Sequence, residues 1–152
     1  MAVKFSPAVA PLFVPATRPE RIAKAANSGA DAIIVDLEDA VAVADKDLAR
    51  AGLADYLADL PVPCFIRVNA VTSDWFYADM ELVRRVEGMG VMLPKSETAA
   101  DIEQIGPDIP VIALVETARG IVGLPDICQA QATCQLAFGS IDYSLDVEMG
   151  AK

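Results

Sequence analysis

Six short apolar runs recur along the chain: PLFVP (Pro11 to Pro15), AIIVD (Ala32 to Asp36), CFIRVN (Cys64 to Asn69), GVMLP (Gly90 to Pro94), VIALVE (Val111 to Glu116) and CQLAFG (Cys134 to Gly139). Each is too short for a helix. Most are rich in β-branched or aromatic residues and lack polar alternation, which predicts parallel strands covered on both faces. Segments of helical character lie between them. Arg18 to Ser28 has Pro19 where a first helical residue tolerates it and Gly29 where a C′ residue is wanted. Asp45 to Leu60 starts from Asp45 as N-cap, and Asp74 to Val86, Thr98 to Ile105 and Ala118 to Gln129 supply three more. No linker, low-complexity tract or shift of composition divides the 152 residues, so the chain reads as one domain over 1–152.

Repeated βα units build either a doubly wound open sheet or an eightfold barrel. Polar residues separate the two. Glu38 and Asp39, Arg67 and Asn69, Lys95, Glu116 and Asp142 stand at or just after the ends of five predicted strands. In a barrel those ends converge on one mouth, whereas an open sheet gathers ligands only at its strand-order reversal. Gly88-Met-Gly90 precedes a strand instead of following one, the wrong context for a phosphate cradle. The predicted class is therefore α/β, a (β/α)8 TIM barrel of which about six βα units are present. A whole barrel takes about 250 residues, so the last two βα units and a C-terminal segment are missing. An open piece would bare apolar edges on its first and sixth strands. A chain truncated at its C-terminus is the preferred explanation; a short form completed by a partner chain and a genuine open sheet are the alternatives.

Composition narrows the chemistry. Hydrophobic residues make up 54% of the chain, enough for a real core, and the net charge of −10 gives nucleic acid or an anionic membrane nothing to bind. Lys4 is alone near the N-terminus, and Pro7, Pro11 and Pro15 interrupt the apolar run there, so neither a signal segment nor a membrane span is predicted and the location read is cytoplasmic. Cys64, Cys128 and Cys134 are odd in number and lack C-x-x-C spacing, which predicts reduced, mostly packed thiols. The chain has no histidine. That removes Ser-His-Asp and Cys-His catalysis and most zinc chemistry, leaving oxygen as the donor for any metal.

At the predicted mouth, Glu116 and Asp142 lie 26 positions apart at the ends of neighbouring strands, where two carboxylates can share one cation. Hard oxygen ligands suit Mg²⁺, with Mn²⁺ as the alternative, and Mg²⁺ keeps several waters that Glu38 and Asp39 can accept hydrogen bonds from. Arg67 can grip a substrate carboxylate in bidentate fashion. Each has a plainer reading: Glu116 or Asp142 as a helix cap, Arg67 in a structural pair with a residue such as Glu38, and Glu38 and Asp39 in a salt-bridge network with Arg67 or Lys95. Lys95 reads as structural. Arg18 and Arg21 read as a solvated face before a CoA-phosphate contact, and Trp75, Phe76 and Tyr77 read as packing at a helix start.

The ordered set Leu12-Phe-Val-Pro15 with Arg18-Pro-Glu-Arg21, Asp36-Leu-Glu-Asp-Ala-Val41, Arg67-Val-Asn69, Leu93-Pro-Lys95, Glu116-Thr-Ala-Arg-Gly120 and Phe138-Gly-Ser-Ile-Asp142 resembles the citrate lyase β-subunit-like family of the HpcH/HpaI aldolase superfamily. The resemblance runs along essentially the whole chain. It implies a TIM barrel in homotrimers or hexamers that uses Mg²⁺ to cleave or form carbon–carbon bonds of acyl-CoA or 2-oxo-acid substrates. It further implies metal ligation by Glu116 and Asp142, substrate-carboxylate binding by Arg67, metal-water contacts from Glu38 and Asp39, and backbone contacts to substrate around Gly139 and Ser140. Three departures stand out. Pro15-Ala-Thr-Arg18 replaces a usual Pro-Gly-Asp-Arg, Ser96 replaces an apolar residue, and the last two strands are absent. The implied reaction is a citryl-CoA or malyl-CoA type retro-Claisen cleavage through a metal-stabilised enolate, with Arg67, Glu38 and Asp39 as the catalytic set. The alternatives are an acyl-CoA thioesterase, or a non-catalytic partial barrel that binds a dicarboxylate or oxo acid or needs a partner chain.

Overall fold

A computed structural model describes residues 7–149. Met1 to Ser6, with Lys4, and Gly150 to Lys152 lie outside the described residues, as does that part of the N-terminal reading. Six strands form, at almost the predicted places: β1 (Leu12–Pro15), β2 (Ile33–Asp36), β3 (Cys64–Arg67), β4 (Gly90–Leu93), β5 (Val111–Val115) and β6 (Thr133–Phe138). All pair in parallel in the sequential order β1-β2-β3-β4-β5-β6. Among the described residues no strand reverses that order, so the sheet has no switch point of the doubly wound kind. The sheet is an open, incomplete barrel with β1 and β6 at its edges.

Side chains alternate between two apolar clusters, as the period of a strand requires. One face, with Ile33, Val35, Ile66, Val91, Leu93, Ala113 and Val115, packs on the helices. The other, with Ile34, Phe65, Met92, Ile112 and Leu114, fills the barrel interior. Gly90 belongs to that interior: a Cβ there would lie 2.4 Å from the Phe65 ring, so its role is to make room for an aromatic ring. The two edges are bridged near the strand starts, where the Gln135 side chain donates to Ala8 O at 3.0 Å and accepts from Ala8 N at 2.8 Å.

The helices are α1 (Ile22–Ala26), α2 (Lys46–Ala51), α3 (Phe76–Arg85), α4 (Ala99–Glu103), α5 (Ala118–Gln129) and α6 (Ser140–Asp146). Thr98 caps α4 in a capping box with Asp101, and Thr117 caps α5, so neither Glu116 nor Asp142 serves as an N-cap. Several expectations fail. Asp45 to Leu60 is not one helix, since Gly52 ends α2 and only a 3₁₀ turn (Ala54–Tyr56) follows, and Asp45 makes no capping bond. The first predicted helix opens as a 3₁₀ turn (Pro19–Arg21) before α1. Tyr77 is exposed while Phe76 is buried, because neighbouring helical residues point to different faces. Only Cys64 of the three thiols is buried. The edge strands are not covered on both faces: Leu136 and Phe138 of β6 and Leu12 and Phe13 of β1 are exposed.

Among the described residues no helix is long and apolar enough to cross a membrane.

Candidate functional site

The register of the first strands dictates the first element of the site. Asp36 is the last residue of β2 and pairs with Arg67, the last of β3, so opposite charges face each other on the inner side of the sheet. Arg67 donates to both Asp36 oxygens, from Nε at 2.8 Å and from Nη2. The fork expected to grip a substrate is thus already engaged, by Asp36 and not by Glu38. Nη1 is left near Glu38 Oε2 at 3.4 Å and Asp39 Oδ2 at 3.5 Å, and the Phe13 ring lies 5.4 Å from the guanidinium carbon. Burial opposes the charge of Arg67, but the Asp36 hydrogen bond and the surrounding carboxylates outweigh it and raise its pKa.

Glu38 is buried, and its Oε1 accepts from Lys95 Nζ at 2.9 Å. Its Oε2 is buried without a hydrogen-bond partner. Burial raises the Glu38 pKa, against the pull of Lys95 and Arg67. Lys95 follows β4 with a left-handed φ of 50°, and its backbone N–H donates to Glu116 Oε1 at 3.0 Å while its ammonium stands 3.9 Å from the same oxygen. Burial works against that ammonium, yet its bond to Glu38 and the charge of Glu116 raise its pKa overall.

Glu116 follows β5 and is only 2% exposed. Burial pushes its carboxyl up to about 7; the Lys95 N–H and ammonium pull it down, and the charges of Glu38 and Asp142 push it further up. Gly139, at the end of β6, lies directly against it: a Cβ there would sit 2.6 Å from Glu116 Oε2. A side chain at 139 would displace the glutamate. Ser140 opens α6 and is exposed, and Asp142, in the first turn of the same helix, is partly exposed. Asp39 is largely exposed beside Arg67.

A buried polar frame stands behind the loop after β2. Lys46 Nζ donates to the carbonyls of Leu37 at 2.8 Å and Glu38 at 2.9 Å, and lies 5.2 Å from the centre of the Trp75 ring. Burial lowers its pKa. Asn69 Nδ2 also donates to Leu37 O, at 3.1 Å, and reaches Asp79 Oδ2 at 2.7 Å. Asp79, fully buried, accepts from Arg50 Nε as well. This frame fixes the backbone from which Glu38 projects.

Four of the five predicted strand ends therefore deliver polar side chains to one linked region, while Asn69 turns into the buried frame. Glu38, Asp39, Arg67, Lys95 and Glu116 are linked by the contacts above, and Asp142 acts on Glu116 through its charge. Ser140 makes no side-chain contact there, and Arg18 pairs with Glu20 on the surface. The sequence reading missed the roles of Asp36, Lys46 and Asp79. For Asp36 a signal existed, since the last residues of two neighbouring parallel strands carry opposite charge. For Lys46 and Asp79 none did, because each is one charge among many on a helix. Among the described residues no group of three or more His, Cys, Asp or Glu side chains is gathered to hold a metal. A separate concavity of about 360 Å³, lined by Leu57, Pro61, Pro63, Cys64 and Gly88 among others, opens at the strand starts and takes no part in this site.

Sequentially ordered parallel strands with carboxylates and an arginine at their C-terminal ends define a TIM-barrel protein with an acidic mouth. The sequence profile of the HpcH/HpaI aldolase/citrate lyase family matches residues 10–152, and the chain belongs to that family. A citrate lyase subunit beta-like protein of Mycobacterium tuberculosis is 45% identical over 131 residues, 86% of this chain and 47% of the relative. A (3S)-malyl-CoA thioesterase of Cereibacter sphaeroides is 33% identical over 158 residues, 100% of this chain and 55% of the relative. The chain spans about half the length of these curated relatives. A solved citrate lyase beta subunit from M. tuberculosis, complexed with oxaloacetate and magnesium, superposes with a TM-score of 0.85 at 41% identity, over 94% of this chain and 64% of that one. The structure of protein CitE from M. tuberculosis with magnesium, acetoacetate and coenzyme A gives 0.81 at 40% identity, over 95% of this chain and 53% of that one.

Proposed function

We propose that this chain carries the metal- and carboxylate-binding face of a Mg²⁺-dependent carbon–carbon lyase acting on a carboxylated acyl-CoA or 2-oxo acid. The observation that carries the reading is the placement of Glu116, a buried carboxylate after β5, beside a glycine after β6 that leaves its Oε2 face clear. The donor set fits a hard divalent ion. Two carboxylates from neighbouring strand ends match the one or two that Mg²⁺ takes from protein, and Glu38 Oε2, which accepts no hydrogen bond, is suited to a coordinated water. The magnesium in the related solved structures supports the same assignment.

Glu116 and Asp142 would hold the ion, whose chemistry is that of a Lewis acid at the oxygen where negative charge develops. Arg67 places fixed positive charge at the mouth to receive a substrate carboxylate and to favour a developing oxyanion. Glu38, tied to Lys95 through Oε1, keeps Oε2 as an acceptor, and Asp39 adds a solvent-facing carboxylate. Gly139 and Ser140 supply the backbone that borders the substrate. The thioesterase relative keeps a second reading alive, in which the same mouth serves attack of water on the thioester carbonyl. Assembly as a homotrimer or hexamer belongs to this proposal, with a small-molecule carboxylate or acyl-CoA as the partner.

The test is calorimetry of Mg²⁺ and oxaloacetate binding to the chain, followed by malyl-CoA and citryl-CoA turnover assays that separate carbon–carbon cleavage from thioester hydrolysis. Oxaloacetate is expected to bind only with Mg²⁺. Asp142→Asn should abolish both heats, while Arg67→Ala should keep Mg²⁺ binding and weaken oxaloacetate by about tenfold or more. Oxaloacetate binding indifferent to Mg²⁺, or a folded wild-type chain that binds neither, would defeat the proposal for this chain.

A further inference from the structure

We propose that Asp36 is a positioning residue that locks the Arg67 guanidinium so that its Nη1 edge, and not its Nε–Nη2 fork, is presented to an anionic ligand at the mouth. The nature of that ligand rests on the function proposed above. Asp36 is 3% exposed, and one oxygen accepts from Arg67 Nε while the other accepts from Nη2. The same carboxylate accepts from Glu38 N at 2.8 Å and Ala40 N at 3.2 Å. Four donors occupy it, so it has no free lone pair to offer a metal or a ligand. Its whole effect on the mouth therefore passes through what it holds.

What it holds is one face of Arg67 and, through Glu38 N and Ala40 N, the start of the loop beside it. Bidentate pairing fixes the guanidinium plane, and Phe13 lies against the guanidinium. Nη1 remains, with ion-pair contacts to Glu38 and Asp39 at 3.4 and 3.5 Å that fall outside hydrogen-bond geometry. A ligand carboxylate meets this edge already oriented, and the entropy of ordering a long side chain is not charged to binding. A merely structural ion pair would stabilise the fold without setting ligand affinity, which is the distinction to test.

Two readouts on the 152-residue chain decide it. In ¹⁵N-labelled protein, the Arg67 Nε–H signal, identified by its loss in Arg67→Lys, is expected to be sharp in the wild type and lost in Asp36→Asn. In calorimetry with saturating Mg²⁺, Asp36→Asn should weaken oxaloacetate by about tenfold or more, while Mg²⁺ affinity without oxaloacetate changes by less than about threefold. In an Arg67→Ala background the same substitution should add much less loss, because the route through Arg67 is already gone and the asparagine Oδ1 still accepts from Glu38 N. Asp36→Glu, which keeps the charge on a longer arm, should repeat the pattern more mildly and serves if the asparagine variant does not fold. An intact Nε–H signal in folded Asp36→Asn, or an equal loss of oxaloacetate affinity with and without Arg67, overturns the proposal. A wild type that binds no oxaloacetate defeats the function proposed for the chain, and the Nε–H signal alone then decides whether Asp36 positions Arg67.

Discussion

Asp79→Ala is expected to destabilise the fold by about 3–5 kcal/mol, the cost of breaking a buried ion pair from one side. A typical domain has only about 5–15 kcal/mol in total. Asp79 is fully buried, and it accepts from Arg50 Nε at 2.8 Å, from Asn69 N at 2.8 Å and from Asn69 Nδ2 at 2.7 Å. Alanine leaves all three donors without that acceptor. Arg50 keeps only Asp47, an exposed partner 2.8 Å from Nη1, and its Nη2 has no hydrogen bond even in the native chain. The loss should spread to the site, because Asn69 also holds Leu37 O beneath the loop that carries Glu38. Urea unfolding is the measurement, with Asp79→Asn, which keeps one acceptor, expected to lose less. A loss below about 1 kcal/mol for the alanine variant would mean that the buried frame relaxes freely and does not hold the loop.

Glu116→Gln is expected to do two opposite things: abolish Mg²⁺ binding and, at pH 8 without metal, stabilise the fold by about 1–2 kcal/mol. Burial holds this carboxyl at about 7, above its ordinary 4.5. The folded chain therefore keeps a proton that the unfolded chain has released between about pH 4.5 and 7. Stability contributed by this group falls as pH rises through that window and stays low above it. Glutamine cannot ionise, so the gain should be present at pH 8 and absent near pH 4. The Lys95 N–H bond survives, since the amide oxygen can accept it. In the wild type a proton competes with the metal, so Mg²⁺ affinity should fall by about tenfold per unit below pH 7. Paired urea titrations at pH 4 and 8 with chelator, and calorimetry from pH 6 to 8, check both halves. A glutamine variant less stable at pH 8 would show that Lys95 already satisfies the carboxylate.

The six strands were legible because their apolar runs are short and separated, the inner four of them largely buried, and because a parallel barrel places every strand end on one side. The stretch from Asp45 to Leu60 misled because helical composition was read across Gly52, whose lack of a side chain weakens a helix at that point. Packed thiols were predicted from apolar neighbours, but β6 lies at the edge of the sheet, where Cys134 is exposed. In DLEDAV the cluster itself was visible, while its division of labour was not. Strand register gives Arg67 to Asp36, and the left-handed turn at Lys95 brings an ammonium to Glu38. The first follows from opposite charges at two strand ends only once β2 is paired with β3, and the second is a tertiary fact that spacing along one chain does not encode.

Because each strand pairs only with its neighbours in the chain, the sheet is a one-dimensional array that frays from its ends. Releasing β6 breaks one ladder, whereas releasing β3 breaks two. Amide deuterium exchange should therefore be slowest in β3 and β4 and fastest in β1 and β6, with the Gln135 bracket to Ala8, spanning 127 positions, as a tie between the two loose ends. Equal protection across all six strands would contradict this gradient. Gly139 and Asp142 follow β6 directly, while Glu116 follows the interior strand β5. One carboxylate of the pair thus follows an interior strand and the other an edge strand.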